Sequence, residues 1–65
     1  MKALKIIDCR DCLMWYRNHV GHIVPYLREY PDEYMSREPA GYTNIVKTRD
    51  AIVVEIEENF TGYYK

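Results

Sequence analysis

The chain has no charge surplus of either sign. Nine Lys and Arg stand against ten Asp and Glu, for a formal net charge of -1. Proteins that grip nucleic acid regardless of sequence usually carry a basic excess, because neutralising phosphates releases counterions. That excess is missing, and Glu55, Glu57 and Glu58 add local repulsion toward phosphate. Non-specific nucleic-acid binding is therefore disfavoured. Long apolar runs are missing too. None approaches the roughly 20 residues that a membrane-crossing helix needs, so no membrane partner is expected. The apolar part of Met1–Ile7 is too short for a signal peptide, and Asp8 follows at once. These absences point to a cytoplasmic protein whose two cysteines stay reduced. Internal repeats and low-complexity stretches are absent as well.

Size excludes more. Sixty-five residues allow one domain. Such a chain buries only about 60% of the surface its unfolded form exposes. Its core supplies only about 3–5 kcal/mol of net stability. A deep catalytic cleft does not fit so small a body. A groove, a flat face or a site shared between subunits does.

What the chain has in quantity is tyrosine: seven, beside one Trp and one Phe. Tyr packs its ring while its hydroxyl reaches water or a partner, and it is enriched at binding surfaces.

The local pattern is that of strands and turns. Ala3–Asp8 reads as a first strand. Cys9–Asn18 has a dense apolar cluster without alternation, which suits a wide loop with a helical turn and Asp11 as N-cap. Trp15 lies in that cluster and is expected to be largely buried, anchoring the loop. The stretch from His22 to Tyr30 alternates as a strand, with Pro25 implying an edge, a bulge or a strand start. Pro31-Asp32-Glu33 is turn chemistry, and Tyr34–Arg37 a short strand. Glu38–Gly41 is a second turn, with Gly41 free to adopt positive φ. Tyr42–Val46 is a further strand, and Thr48–Ala51 suits one 3₁₀ turn. Ile52–Ile56 is the clearest strand, dense in β-branched residues. Residues 57–65 form a C-terminal tail that either frays or docks its aromatics. Five short strands, a long first loop, two tight hairpins and a 3₁₀ turn predict an all-β, five-stranded SH3-like barrel over residues 1–56.

Met14-Trp15-Tyr16, Val20-Gly21, Tyr34, the run Arg37–Val46 and Asp50-Ala51 together resemble small uncharacterised phage and prophage proteins. The likeness covers roughly residues 2 to 56. It implies an SH3-like barrel and a viral or mobile-element setting, with the host cytoplasm as location. It brings no catalytic residue.

Three sets of residues are candidates for chemistry. Cys9 and Cys12 form Cys-x-x-Cys, and His19 and His22 form His-x-x-His. Their types suit a tetrahedral zinc site, but the His-x-x-His spacing and the six residues between the pairs are tighter than in common zinc fingers. No metal or other cofactor is expected, and a zinc-stabilised domain is an alternative. A thioredoxin-like use of the cysteines needs a βαβ setting that is missing. His19, His22, Asp8, Asp11 and Cys12 could serve acid–base or nucleophilic catalysis, yet no known spacing ties them together. Solvated loop residues are the simpler reading, and no enzyme is expected. The third set is aromatic with arginine: Trp15, Tyr16, Tyr26, Tyr34, Arg37 and Tyr42. Such residues line grooves for extended peptides, or stack bases beside Arg. Tyr34, Arg37 and Tyr42 are expected to meet across the second hairpin, which requires a bulge because Tyr34 and Arg37 differ in parity.

The reading that follows is a non-enzymatic module that docks on a protein partner. Its alternative is an oligomer that sequesters a nucleotide-like ligand between aromatic faces, with Arg28 or Arg37 on the phosphates. A chain this small has little room for an enclosed pocket of about 300 Å³ on its own.

Overall fold

A computed structural model describes residues 1–65. The chain runs through β1 (Lys2–Ile6), β2 (Ile23–Pro25), β3 (Arg28–Glu29), β4 (Glu33–Arg37) and β5 (Thr43–Lys47). A 3₁₀ turn (Thr48–Asp50) then leads into β6 (Ala51–Glu55). The protein is all-β, with two antiparallel three-stranded sheets ordered β2-β1-β6 and β3-β4-β5. No helix is long and apolar enough to cross a membrane.

The expected five strands are six, because the His22–Tyr30 run breaks in the middle. Pro25 has no N–H to continue a ladder, and β2 ends there after pairing with Ala3. The chain then leaves the first sheet at Tyr26. The Leu27 N–H already bonds to the Met35 carbonyl of the other sheet at 3.0 Å, and Arg28 pairs opposite Met35. One segment thus serves both sheets. At the far end, β5 and β6 are joined by the 3₁₀ turn and do not pair. The sheets therefore do not join into the closed barrel expected. The first strand also stops at Ile6 rather than Asp8. Beyond it only the Asp50 carbonyl is in reach, and it accepts from both Ile7 (2.8 Å) and Asp8 (3.3 Å) N–H groups.

The first loop holds a series of tight turns in which Met14, Arg17, His19 and His22 each donate to the residue three back. The Asp11 carboxylate opens the series by accepting the Leu13 N–H at 2.9 Å. Gly41 takes φ +101° at the second hairpin, a conformation in which a side chain would be strained.

Leu4, Ile6, Tyr16, Val24, Val46 and Ala51 form the buried core. All three strands of one sheet, one strand of the other and the first loop contribute. Here a second expectation is corrected. Trp15 is only half-buried, packed against the core from outside, and its neighbour Tyr16 fills the fully buried place. The reason is polar. The Trp15 indole N–H must reach an acceptor at the surface of β5, which holds the ring at the rim.

Candidate functional site

The six aromatic and arginine residues do not form one patch. They divide into three groups, and each group does different work.

Trp15 and Tyr16 lie along the free edge of β5. In an antiparallel ladder, bonded and non-bonded pairs alternate. Glu38 N–H bonds to the Tyr42 carbonyl, so Asn44 and Val46 turn their backbone groups toward β4. Ile45 and Lys47 turn theirs outward. The Ile45 carbonyl accepts the Trp15 Nε1–H at 2.8 Å, and its N–H donates to the Asn44 side chain at 2.8 Å. The Lys47 N–H donates to the Tyr16 hydroxyl at 3.2 Å. The same hydroxyl donates to Asp50 Oδ2 at 2.5 Å, in full burial. Desolvation and that bond push the Tyr16 phenol well above its ordinary range. The other Asp50 oxygen has no hydrogen-bond partner, and Arg49 Nε stands 3.9 Å away. In this group Tyr16 is fully buried and Trp15 half-buried, and both side chains bond to the outward-facing backbone of β5.

Tyr26 and Tyr34 form the second group. Their rings lie 6.0 Å apart, tilted by 53°, half-buried where the broken strand crosses β4. The Lys2 ammonium stands over the Tyr26 ring at 5.4 Å from its centroid. The Tyr26 hydroxyl donates to Glu29 at 3.2 Å. Desolvation and the bond to Glu29 both push this phenol upward. Leu27 and Tyr30, on the same segment, are exposed. The result is a half-exposed aromatic surface with a cation on one side and a carboxylate on the other.

Arg37 and Tyr42 are the third group, and the expected meeting with Tyr34 does not occur. The register pairs Arg37 with Thr43 and Tyr34 with Val46, without the bulge that would gather all three residues. Tyr42 stands 72% exposed beside the turn. Arg37 offers its carbonyl to the Tyr64 hydroxyl at 2.6 Å.

Tyr64 belongs to the C-terminal tail, whose aromatics dock rather than fray. Its N–H bonds to the Ile23 carbonyl at 2.8 Å, and Tyr63 bridges to Ile23. Its ring meets His19 edge-on at 5.8 Å, and its backbone holds φ 65°. Three contacts hold a conformation that a bulky residue rarely adopts. Phe60, Tyr63, Tyr64, His19 and Trp15 form a continuous run of rings across the molecule. The density of aromatics in the last six residues was the available signal. Asp50 was missed outright, since nothing local marks it as buried.

The cysteine–histidine set does not gather either. His19 and His22 meet Nδ1 to Nδ1 at 3.1 Å, so one imidazole donates and the other accepts. Burial, then the His22 charge, lowers the His19 pKa below 6.5. Cys9 and Cys12 are free thiols, and no group of three or more His, Cys, Asp or Glu comes together. The four ligands that a structural zinc requires are not assembled. Partial burial, then Asp50, Asp11 and Asp8, raises the Cys9 pKa, which is opposite to the activation of a nucleophile. The surface carries no pocket.

No family model, no curated protein and no solved structure matches the chain.

Proposed function

We propose that this chain is a non-enzymatic binding module, SH3-like in its strand order, that docks on a protein partner through the Tyr26–Tyr34 face. The observation that carries this reading is the ring pair itself, half-exposed with Lys2 and Glu29 at its rim. Buried at the centre of an interface, such rings supply most of the affinity, and the rim charges fix orientation. Supporting the SH3-like description are the long first loop, the two hairpins and the 3₁₀ turn before the last strand. The resemblance to small phage proteins makes a host protein the natural class of partner. Asp50 is bonded to Tyr16 and His19 to His22, structural uses of the groups nearest the core that favour binding over catalysis.

The test is capture by the tagged chain, comparing the native protein with Tyr26→Ser and with a Tyr42→Ser control. The reading requires that a specifically captured protein is lost with Tyr26→Ser and kept with Tyr42→Ser, while both variants melt cooperatively. Equal capture by all three would remove this face from consideration.

A further inference from the structure

Each sheet has two edges, and three of the four are closed. The edge of β5 is capped by Trp15, Tyr16 and the Asn44 side chain. The edge of β2 is covered by the tail, through Tyr64 on the Ile23 carbonyl, and Pro25 offers no donor. β3 is two residues long, Arg28 and Glu29, both charged and exposed. Short, charged or covered edges are how proteins prevent strand addition.

The fourth edge, β6, is neither short nor covered, and its one charge, Glu55, stands at its end. Its sequence is Ala-Ile-Val-Val-Glu, without Pro or Lys. Met1 and Ile56 exchange both backbone bonds, at 2.7 and 2.8 Å, and Ile7 N–H bonds to the Asp50 carbonyl. By alternation, Ile52, Val54 and Ile56 face β1. Val53 and Glu55 therefore turn N–H and C=O away from the sheet, as does the Ala51 carbonyl. None of these groups has a partner in the molecule. Val53 shares a face with its partner Leu4, which is fully buried, yet Val53 is 39% exposed because nothing lies beyond it. Ile52 is 47% exposed.

We infer that β6 pairs antiparallel with β6 of a second copy, about a two-fold axis through Val53, to give a symmetric homodimer with a continuous sheet. The other edges are closed, so β6 can meet only β6 when two copies join by their edges. An isologous contact of this kind closes on itself and does not propagate into a fibre. The charges select the register. An axis at Val53 sets Ala51 opposite Glu55 and Ile52 opposite Val54 of the second copy. It also brings Arg49 toward Glu57 of the second copy, an attractive pair. An axis at Glu55 would set that carboxylate against itself, which is destabilising. An axis at Ala51 would drive the two 3₁₀ turns into each other.

The experiment is sedimentation equilibrium over a concentration series reaching the millimolar range. The native chain is expected to reach twice the 7.8 kDa of one copy. Val53→Pro removes only an outward-facing donor, a substitution that strand edges tolerate. By symmetry it deletes two inter-chain bonds, raising the dimer dissociation constant about tenfold or more. Arg49→Glu is expected to weaken the dimer, and Arg49→Glu with Glu57→Arg to restore it, which keeps the test independent of any folding defect in the proline variant. A native chain that stays monomeric at millimolar concentration overturns the proposal, including the case in which β6 instead captures a foreign peptide strand. A dimer unmoved by both Val53→Pro and Arg49→Glu overturns it equally.

Discussion

The outer edges of β5 and β6 begin from the same problem and end differently. Both are five-residue strands at the margin of a three-stranded sheet. Both turn unpaired amides and carbonyls outward. On β5 those of Ile45 and the Lys47 N–H are satisfied by an indole, a carboxamide and a phenol, and only Thr43 at the hairpin end is left bare. On β6 they face solvent beside exposed Ile52 and Val53. The long first loop explains the difference. It leaves β1, makes its run of turns and lays Trp15 and Tyr16 along β5 before returning to β2. It has no counterpart near β6. In a protein with so little core, the aromatics of that loop serve both as edge caps and as packing, Tyr16 within the core and Trp15 against it.

The largest way to break this comparison is Tyr16→Ala. The variant leaves a cavity in the core, frees the Lys47 N–H and strips buried Asp50 of its donor. A loss of about 3–5 kcal/mol is expected, as much as the whole stability of so small a domain. Urea denaturation of this variant should show no cooperative transition; a midpoint near the native value would refute the capped-edge account.

Trp15→Phe is the sharper and smaller test. It keeps a ring against the core but deletes the donor to the Ile45 carbonyl. A cost of about 1 kcal/mol is expected. The matching substitution on the bare edge, Val53→Thr, should stay within about 0.5 kcal/mol when measured on monomer at low concentration. Equal costs at the two edges would erase the distinction drawn between them.

The smallest effect is a pH dependence carried by His19. Its ring lies against Trp15 and Tyr64 and shares a hydrogen bond with His22. Its folded pKa is depressed below the ordinary 6.5, by burial first and by His22 second. For a base lowered in the folded state, the unfolded chain takes the proton more readily. Stability is therefore full above pH 6.5 and declines as pH falls below it toward the folded pKa. A titration of the His19 ring protons by NMR checks the sign, and a value at or above that of an exposed histidine would contradict it.

Much of the secondary structure was legible in the sequence. Ile52–Ile56 read as a strand because β-branched residues favour the pleated surface, and β6 occupies Ala51–Glu55. Gly41 at a tight turn and one 3₁₀ turn after β5 were readable from local chemistry too. The gathering of Tyr34, Arg37 and Tyr42 was not, because a one-residue choice of register sends each side chain to a different place. Nor could local pattern choose between Trp15 and Tyr16 as the buried ring. They are adjacent, and the choice depends on two acceptors, the Ile45 carbonyl and Asp50, that lie some thirty residues further along.

Composition and local pattern by themselves determined an all-β chain without membrane-crossing helices, rich in tyrosine and balanced in charge. Those properties follow from residue types and their neighbours a few positions away. Only the tertiary structure decided that the sheets remain two, that Asp50 is buried on Tyr16, that the tail covers β2 and that one edge stays open. Each of those outcomes depends on which backbone groups remain unpaired once the strands have found their partners. That remainder exists only after the long-range pairing is complete.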